Sequence, residues 1–360
     1  MTDLLYSEDE TDLRAAVRSL LTARADPAVL VGGRIESGTP YDPELWTSLA
    51  AEVGAAGLLV PEKLGGQGAS HREAAVVLEE LGRSVVPVPY LTSSVIATET
   101  LLALNTETDD VAALLDALAA GRRTAVLAVP LSACADGPLP VDADRITGVA
   151  DAVTADVLLV LKSDGLYAVE TSRITVEPQT AFDLTRPLAA ISPGAFTGAV
   201  RLADAEAGEA AVRRGLLAGA GLLASEQLGV AEWCLDETVR YTRERHQFNR
   251  PIGSFQALKH RMAQLWLEVV SARAAARAAA DALATGSAEA ALLVSVAQAY
   301  CSRVAVHAAE ECVQLHAGIG MTWEHPAHLY LKRAKSAEIA LGTPGRHKET
   351  LAGLVDLQAP

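Results

Sequence analysis

Two stretches in the last third of the sequence combine polar side chains with glycines next to the expected ends of long helices. Residues 243–256 read RERHQFNRPIGSFQ, and residues 313–326 read VQLHAGIGMTWEHP. An arginine beside a helix end can hold a pyrophosphate through two parallel hydrogen bonds, and a glycine lets the backbone approach a ligand closely. These residue types predict a docking place for a large anionic cofactor. The simpler alternatives are a surface cation for Arg245 and a helix-ending glycine for Gly318.

The charge and composition of the whole chain exclude several classes of protein. Its 360 residues carry a formal net charge of −15, which argues against a nucleic-acid surface and against binding to anionic lipid. The four cysteines show no metal-finger spacing, so no metal site is expected. We expect neither a signal peptide nor a transmembrane helix, because no basic segment precedes an apolar run and no uncharged run suits a membrane span. The sequence thus predicts a cytoplasmic protein.

The hydrophobic pattern divides the chain into three parts. Residues 1–122 show apolar positions at helical spacing, with a helix start at Asp42-Pro43, an N-cap followed by proline. Residues 123–205 contain short β-branched runs separated by Gly, Pro and Asp, the rhythm of a small antiparallel barrel or sandwich. Residues 206–360 return to long helical segments and predict a four-helix bundle. The expected fold class is therefore α+β and mostly helical.

Some of these elements can be given approximate bounds. The strand candidates are 124–129, 157–161, 167–170, 174–176 and 199–202. The two longest helices of the predicted bundle are 257–283 and 288–316, each with enough residues for seven turns. A middle β domain thus separates an N-terminal helical domain from a C-terminal helical bundle.

Two motifs within this helix–strand–helix order make the sequence resemble the acyl-CoA dehydrogenase family. Residues 245–257, RHQFNRPIGSFQA, are close to the family pattern R-x-x-F-G-x-P-I-x-x-F-Q, with Asn249 in place of its glycine. Residues 314–320, QLHAGIG, are close to the pattern Q-x-x-G-G-x-G, with Ala317 in place of the first glycine of the pair. The resemblance covers nearly the whole chain. It implies FAD as the cofactor and α,β-desaturation of an acyl thioester as the reaction.

The resemblance also implies roles for individual residues. Arg245 would bind the FAD pyrophosphate, and residues around it would line the adenosine half of the cofactor. In the family such residues serve the FAD of the adjacent subunit, so that each site is built from two chains. The cofactor-binding residues implied in this way are Arg245, Gln247, Phe248, Ile252, Gln256, Gln314, Leu315, Ala317 and Gly318.

The catalytic base that the resemblance implies is missing from both of its family positions. The reaction needs a glutamate that removes the α-proton while a hydride leaves the β-carbon for the flavin. One position corresponds to Leu341 and the other to Gly219, and neither residue can accept a proton. A shifted alignment would recruit Glu226 or Glu232, although both are more simply explained as structural or exposed helix carboxylates.

The segment that lies against the flavin ring in the family is also altered. Residues 127–137, LAVPLSACADG, retain little of the family's T-E-x-x-x-G-S-D type of sequence, and Pro130 removes a backbone donor. Together the two losses predict the non-catalytic subunit of a heteromeric α2β2 acyl-CoA dehydrogenase. A homologous subunit would supply the base, and an external acceptor such as an electron-transfer flavoprotein would take the electrons. In the family, heteromeric enzymes desaturate CoA thioesters of sterol side chains, so a steroid side-chain CoA ester is a candidate substrate.

Three alternatives remain open at the level of sequence. The chain could be a self-sufficient homotetrameric acyl-CoA dehydrogenase with an unconventional base such as Glu226. It could be a scaffold subunit that keeps the fold but binds no flavin. It could also be a flavin enzyme of another reaction type, because the expected base is missing.

Overall fold

The structure, a computed structural model, describes residues 4–25, 41–194 and 198–357. The predictions for residues 1–3 and 26–40 lie outside this part of the chain. Within it, the protein is mostly helical, and its longer strands all lie in the middle of the sequence. This arrangement confirms the predicted fold class.

The N-terminal helices begin at side-chain caps that the sequence shows. Ser7 and Ser70 each start a helix with a capping box, in which a serine and a glutamate satisfy backbone donors reciprocally. The predicted start at Asp42-Pro43 is confirmed, because the Asp42 side chain accepts two backbone hydrogen bonds of the first turn. The helices are α1 (Glu8–Arg24), α2 (Pro43–Thr47), α3 (His71–Ser84), α4 (Thr98–Leu102) and α5 (Asp109–Ala119), with π-helical turns at Ser48–Glu52 and Tyr90–Ala97.

The middle part is a sandwich of two small sheets. The strands are β1 (Ala125–Leu127), β2 (Ile146–Ala150), β3 (Val157–Lys162), β4 (Gly165–Glu170), β5 (Thr175–Gln179), β6 (Leu188–Ser192) and β7 (Val200–Asp204). The sheet orders are β1-β3-β4-β7 and β2-β6-β5, and the pairs are antiparallel except for β1 with β3. Val126 and Leu158 from one sheet share a core with Val149 and Ile191 from the other. The predicted sandwich is therefore formed.

Two strands, β2 and β6, lie where the sequence pattern predicts none. In β2, Gly148 has a φ of 70°, and the register with β6 is irregular between Ile146 and Val149. This irregularity interrupts the alternation that marks a strand. The sequence of β6, LAAIS, is rich in alanine, which favours helix by local propensity. Pairing with β5 and β2 outweighs that local preference.

The C-terminal part is a helical bundle built around one long helix, α6 (Ala205–Glu244). The next helices are α7 (Gln256–Ala284), α8 (Ala290–Leu315), α9 (Ala327–Ile339) and α10 (Pro344–Leu354). The bounds of α7 and α8 agree with the predicted helices to within two residues. Helices α6, α7 and α8 pack on one another, α9 and α10 pack on α8, and α3 packs on α6.

Helix α8 is apolar enough, by length and composition, to cross a membrane, and it is the one such candidate among the described residues. Half of its apolar window is buried, and it contacts four other helices of the bundle. These contacts are those of a core helix in a packed domain.

Some apolar surface of the bundle nevertheless remains exposed. Trp266 and Leu267 on α7 are more than half exposed, and Val296 on α8 is 38% exposed.

The crossing of α3 and α6 depends on glycine, which gives a stability prediction. A Cβ at Gly229 would collide with the carbonyl oxygen of Glu79. We therefore expect Gly229→Ala to lower the free energy of unfolding by about 1–3 kcal/mol, because the backbone of α3 must move. Gly353→Ala is the matched control, since a Cβ there meets no atom within 4 Å and alanine favours helix. Urea unfolding measures both variants, and equal stabilities would contradict the close packing.

Candidate functional site

Three helix ends meet at one end of the C-terminal bundle. The ring of Tyr241, in the last turn of α6, stacks on the ring of His316 just after α8, with centroids 4.3 Å apart. Arg261, near the start of α7, pairs with Glu311, near the end of α8, at 2.6 Å. The two stretches with which the sequence predicts a cofactor site therefore begin at neighbouring helix ends.

Arg245 is the C-cap residue of α6 and leads into a tight hairpin. Two short strands, β8 (His246–Gln247) and β9 (Arg250–Pro251), flank a turn in which Phe248 and Asn249 have φ values of 53° and 61°. Two consecutive residues with positive φ form the turn that suits a two-residue hairpin, and asparagine tolerates this backbone well. Asn249 therefore occupies the family's glycine position in a left-handed conformation that glycine would also adopt.

The hairpin carries an exposed cation, Arg245, and an exposed aromatic ring, Phe248. The Arg245 guanidinium is exposed and makes no ion pair or hydrogen bond with any residue of the described ranges. Arg250, by contrast, lies over the ring of Phe255, 4.0 Å from its centroid. The Phe248 ring is 86% exposed. An exposed guanidinium and an exposed ring on the same short hairpin suit a ligand that carries both negative charge and flat groups.

The other residues predicted around Arg245 lie close to it in sequence and structure. The backbone N–H of Ile252 donates to the carbonyl oxygen of Arg245 at 2.8 Å, which fixes the two ends of the hairpin. Gln247 in β8 is exposed, and so is Gln256 at the first turn of α7. The Gln256 side-chain amide lies 3.4 Å from Nε2 of His260, so it already has a polar neighbour.

The second stretch ends α8 with an open backbone turn. Gln314 is exposed, whereas Leu315 is buried against the bundle. Ala317 has a φ of 52° and so takes the left-handed conformation in which glycine most often ends a helix. Gly318 has an ordinary φ of −54°, and a Cβ there would meet no atom within 4 Å. Backbone conformation therefore does not explain Gly318, but access of a ligand to the backbone would.

Next to this second stretch, Glu237, His316 and His325 form a cluster that we call the Glu237 cluster. Sequence patterns did not reveal it. Nε2 of His325 and Nε2 of His316 lie 3.4 and 3.8 Å from Oε1 of Glu237. Arg240 pairs with both oxygens of Glu237 from the next turn of α6. Burial would raise the pKa of Glu237, but hydrogen bonds from Arg240 and the two nearby histidine rings hold this pKa well below its usual range. Spacing could not reveal the cluster, because its carboxylate comes from a different helix.

The Glu237 cluster has the composition of a metal site, since one atom from each of its residues lies within 4.8 Å of the others. A metal ligand must present an unprotonated ring nitrogen. Nδ1 of His325 accepts a hydrogen bond from the backbone N–H of Ala327 at 3.2 Å, so the neutral ring carries its proton on Nε2, which faces Glu237. This tautomer, together with the pairing of Arg240, favours a hydrogen-bonded cluster over a metal centre.

The two positions expected for the catalytic base face each other inside the chain. A Cβ at Gly219 on α6 would lie 3.2 Å from Cδ1 of Leu341 and 2.6 Å from Cγ1 of Ile96. Leu341 is buried and has a φ of 54°, a strained backbone for a branched side chain. The structure therefore brings both base positions to one place, and that place is apolar.

The altered segment 127–131 lies against the same place. The backbone N–H of Leu341 donates to the carbonyl oxygen of Leu131 at 2.8 Å. The cavity between them has a volume of about 20 Å³, which holds a single water molecule at most. Its lining consists of Thr92, Ile96, Val126, Leu127, Val129, Pro130, Leu131, Ala150, Leu216 and Leu341. The sequence showed two separate losses, that of the base and that of the flavin-ring segment. In the structure, the residues at these positions pack together and close one apolar place.

Glu226 lies in a buried ionic network. Its carboxylate accepts hydrogen bonds from Arg186, the shorter at 2.6 Å, and from Arg333 at 3.1 Å. Arg333 also pairs with Asp183 at 2.7 Å. Burial would raise the pKa of Glu226, but Arg186 and Arg333 hold it below its usual value. A carboxylate held in this way is a poor proton acceptor, which agrees with the structural interpretation of Glu226.

Glu232 is also engaged by cations. It pairs with Arg273 at 2.6 Å, with Arg83 at 3.1 Å and with Arg14 at 3.4 Å. These arginines lie on α7, α3 and α1, so the carboxylate joins three helices to α6. This arrangement supports a structural role for Glu232 rather than a catalytic one.

Two family profiles match most of the chain. The profile described as "Acyl-CoA dehydrogenase, N-terminal domain" matches residues 7–122, and that described as "Acyl-CoA dehydrogenase, C-terminal domain" matches residues 206–354. Together with the fold and the two motifs, these matches show that the chain belongs to the acyl-CoA dehydrogenase family. Members of this family bind FAD and oxidise acyl-CoA thioesters, as the motifs predict.

Three individual proteins are similar to this chain over nearly its whole length. The acyl-CoA dehydrogenase IpdE2 of Mycolicibacterium smegmatis is 38% identical over 339 residues, which cover 94% of this chain and 96% of that protein. A chain of the ChsE4-ChsE5 complex from Mycobacterium tuberculosis is 25% identical, with a TM-score of 0.83 and 100% of both chains covered. A chain of the Tcur3481-Tcur3483 steroid ACAD is also 25% identical, with a TM-score of 0.81 and coverage of 97% and 98%.

The network around Glu226 gives a prediction that distinguishes a structural role of this residue from a catalytic one. We expect Glu226→Gln to lower the free energy of unfolding by about 3–5 kcal/mol, because two guanidiniums are left buried with too little negative charge. Glu209→Gln removes an exposed carboxylate that pairs with Arg213 on the same helix, and it should cost less than about 1 kcal/mol. Urea unfolding at neutral pH measures both. Unchanged stability with lost turnover in Glu226→Gln would instead indicate a catalytic base.

Proposed function

We propose that this chain is one subunit of a heteromeric FAD-dependent acyl-CoA dehydrogenase of α2β2 composition, active only as the complex. The chain contributes the adenosine and pyrophosphate side of an FAD site, and a homologous partner subunit supplies the glutamate and the flavin-ring side. One observation carries the proposal. The chain combines an open, cationic bundle end at Arg245 with a filled, apolar cavity at both base positions.

The length of α6 supports a site that is shared between chains. Gly219 lies within α6 and Arg245 is its C-cap, so a rise of about 1.5 Å per residue separates them by roughly 39 Å. A dinucleotide cofactor is much shorter than this distance. Arg245 therefore cannot reach a cofactor placed at the base cavity of its own chain, and it is available to one held by a neighbour.

Each residue of the open bundle end has a defined task in this proposal. When bound, FAD supplies the hydride acceptor for oxidation of the acyl-CoA. The Arg245 guanidinium would hold the pyrophosphate by charge-assisted hydrogen bonds, and Phe248 and Ile252 would offer apolar contact to the adenosine half. Gln314 and the open backbone at Gly318 would approach the same cofactor from α8. Gln247, Gln256 and Ala317 complete the proposed surface, and the buried Leu315 would support it from within the bundle.

The cavity at Leu341 and Gly219 does not fit the chemistry of the base. It has room for about one water molecule, and no group that can exchange a proton stands at either position. An acyl chain would have to displace several packed side chains to enter. Proton removal is therefore assigned to the partner subunit.

The relatives support the heteromeric assembly and the class of substrate. ChsE4-ChsE5 is a complex of two different chains, and Tcur3481-Tcur3483 is a steroid ACAD with two components. By this similarity we propose a CoA ester of a steroid side chain as the substrate. An external acceptor such as an electron-transfer flavoprotein would take the electrons, and the cytoplasm is the proposed location.

The alternatives are less well supported. A self-sufficient enzyme that uses Glu226 would have to free its carboxylate from Arg186 and Arg333. A scaffold without flavin would not explain Arg245 and Gly318, since among the described residues Arg245 has no ion pair and Gly318 needs no special backbone conformation.

Removal of Arg245 tests the pyrophosphate contact. We expect Arg245→Ala to raise the dissociation constant of FAD for the complex about tenfold to a hundredfold, because charge-assisted hydrogen bonds are lost. Arg243→Ala is the matched control, since Arg243 is an exposed arginine in the last turn of the same helix. The measurement is an FAD titration of the complex that this chain forms when it is co-expressed with its homologous acyl-CoA dehydrogenase partner. Unchanged flavin affinity in Arg245→Ala would favour the scaffold alternative.

Activity of the chain alone tests whether the partner subunit supplies the catalytic base. We expect the chain purified without a partner to oxidise neither butyryl-CoA nor a steroid side-chain CoA ester, because it supplies no base. Leu341→Glu alone should not create activity, since segment 127–131 still fills the cavity. Reduction of an artificial electron acceptor measures turnover, with the two-chain complex as positive control. Stoichiometric FAD together with acyl-CoA oxidation by the chain alone would show a self-sufficient enzyme.

A further inference from the structure

The Glu237 cluster connects the two stretches of the proposed cofactor surface. Glu237 lies eight residues before Arg245 on α6, and His316 directly precedes the turn at Ala317 and Gly318. His325 lies between that turn and α9, so the cluster joins three segments through one carboxylate. The relative position of the two stretches therefore depends on how strongly Glu237 attracts the two rings.

Hydrogen bonds fix the proton positions in this cluster. Nδ1 of His316 lies 2.6 Å from the carbonyl oxygen of Cys312, so Nδ1 carries a proton and donates it. Nε2 of His316 is then the atom that faces Glu237, and it is buried with no hydrogen-bond partner. A proton on Nε2 makes that contact attractive, whereas a lone pair there would face a carboxylate oxygen. Because Nδ1 of His325 accepts from Ala327, its Nε2 already presents a proton to Glu237 at 3.4 Å, so His316 is the residue whose charge decides the strength of the cluster.

Several titratable and charged groups surround the His316 ring. The titratable and charged groups nearby are Cys234, Glu237, Arg240 and Tyr241 on α6, Cys312 on α8, and His325 before α9. Arg240 also pairs with the exposed Glu244 at 2.5 Å, and contacts with Cys234 and with the His316 ring lower the pKa of the Cys312 thiol to about 5. Loss of the His316 proton would leave the Cys312 thiolate and the half-buried Glu237 carboxylate facing a neutral ring.

We propose that Glu237, protonated His316 and His325 form a positioning cluster that holds the turn after α8 in register with Arg245, and that its protonation state controls the affinity of the complex for FAD. This inference rests on the proposed function, because it assumes that both stretches contact the cofactor. The cluster itself touches no cofactor in this proposal. It acts through the backbone of Ala317 and Gly318, which follow His316 directly.

The direction of the pH dependence follows from His316. Burial would lower its pKa, but contacts with Cys312 and Glu237 raise it to about 9. A group whose pKa rises on folding stabilises the folded state fully below its ordinary value of about 6.5, and this stabilisation is lost as the pH rises through about 9. Affinity for FAD should therefore fall on the alkaline side of neutrality.

An FAD titration of the two-chain complex tests this inference. From about pH 6.5 to about pH 9.5 we expect the dissociation constant of FAD to rise about tenfold, a usual size for coupling between two sites. His316→Gln and Glu237→Gln should each remove this pH dependence, and the double variant should add nothing further. His307→Gln is the matched control, because His307 pairs with Glu268 at 2.7 Å far from the turn. It should keep the wild-type pH profile.

Several outcomes would overturn the inference without touching the proposed function. A wild-type pH profile in both His316→Gln and Glu237→Gln would do so while Arg245→Ala still loses FAD. Stoichiometric zinc in the purified complex that disappears in His316→Gln would replace the positioning cluster by a metal centre. Full retention of FAD in Arg245→Ala would instead reject the proposed function. Thermal unfolding of each variant at pH 6.5 distinguishes misfolding from an effect on the turn. If His316→Gln does not fold, Glu237→Gln still tests the inference, because it leaves the buried His316 ring in place.

Discussion

The stiffness of α6 is the constraint on which the rest of the structure depends. This helix begins at the end of β7, passes the base position at Gly219 and the ionic network at Glu226, and ends at Arg245. A continuous helix of this length cannot bring its two ends together. In the proposed assembly the two ends of α6 therefore serve different sites, and each complete site is built from more than one chain.

Buried charges hold α6 in place at its middle. Glu226 connects it to Arg186 in the sandwich and to Arg333 on α9, and Asp183 supplies the second negative charge. Burial raises the pKa of the nearby Asp151, which favours its neutral form and leaves two guanidiniums facing two carboxylates. Such a network is stable only when it is complete. The middle of the chain is therefore organised for rigidity, and this agrees with the closed cavity beside it.

Much of the fold could be predicted from the sequence, because local signals and tertiary packing agree there. The cap at Asp42, the long bundle helices and the cofactor motifs are all expressed in neighbouring residues. Strands β2 and β6 could not be predicted in this way, since an irregular pairing and an alanine-rich sequence hide them. The Glu237 cluster and the contact of Gly219 with Leu341 were equally hidden, because each joins residues that are far apart in the chain.

The exposed apolar side chains of α7 and α8 have a consequence for the abundance of the protein in the cell. Trp266, Leu267 and Val296 lie open on the single chain, and surfaces of this kind tend to self-associate or attract quality control when nothing covers them. If a second subunit covers them, any excess of one chain over the other is lost to aggregation or degradation. The amount of working complex is then set by the scarcer chain, and balanced synthesis of the two becomes part of how the activity is regulated.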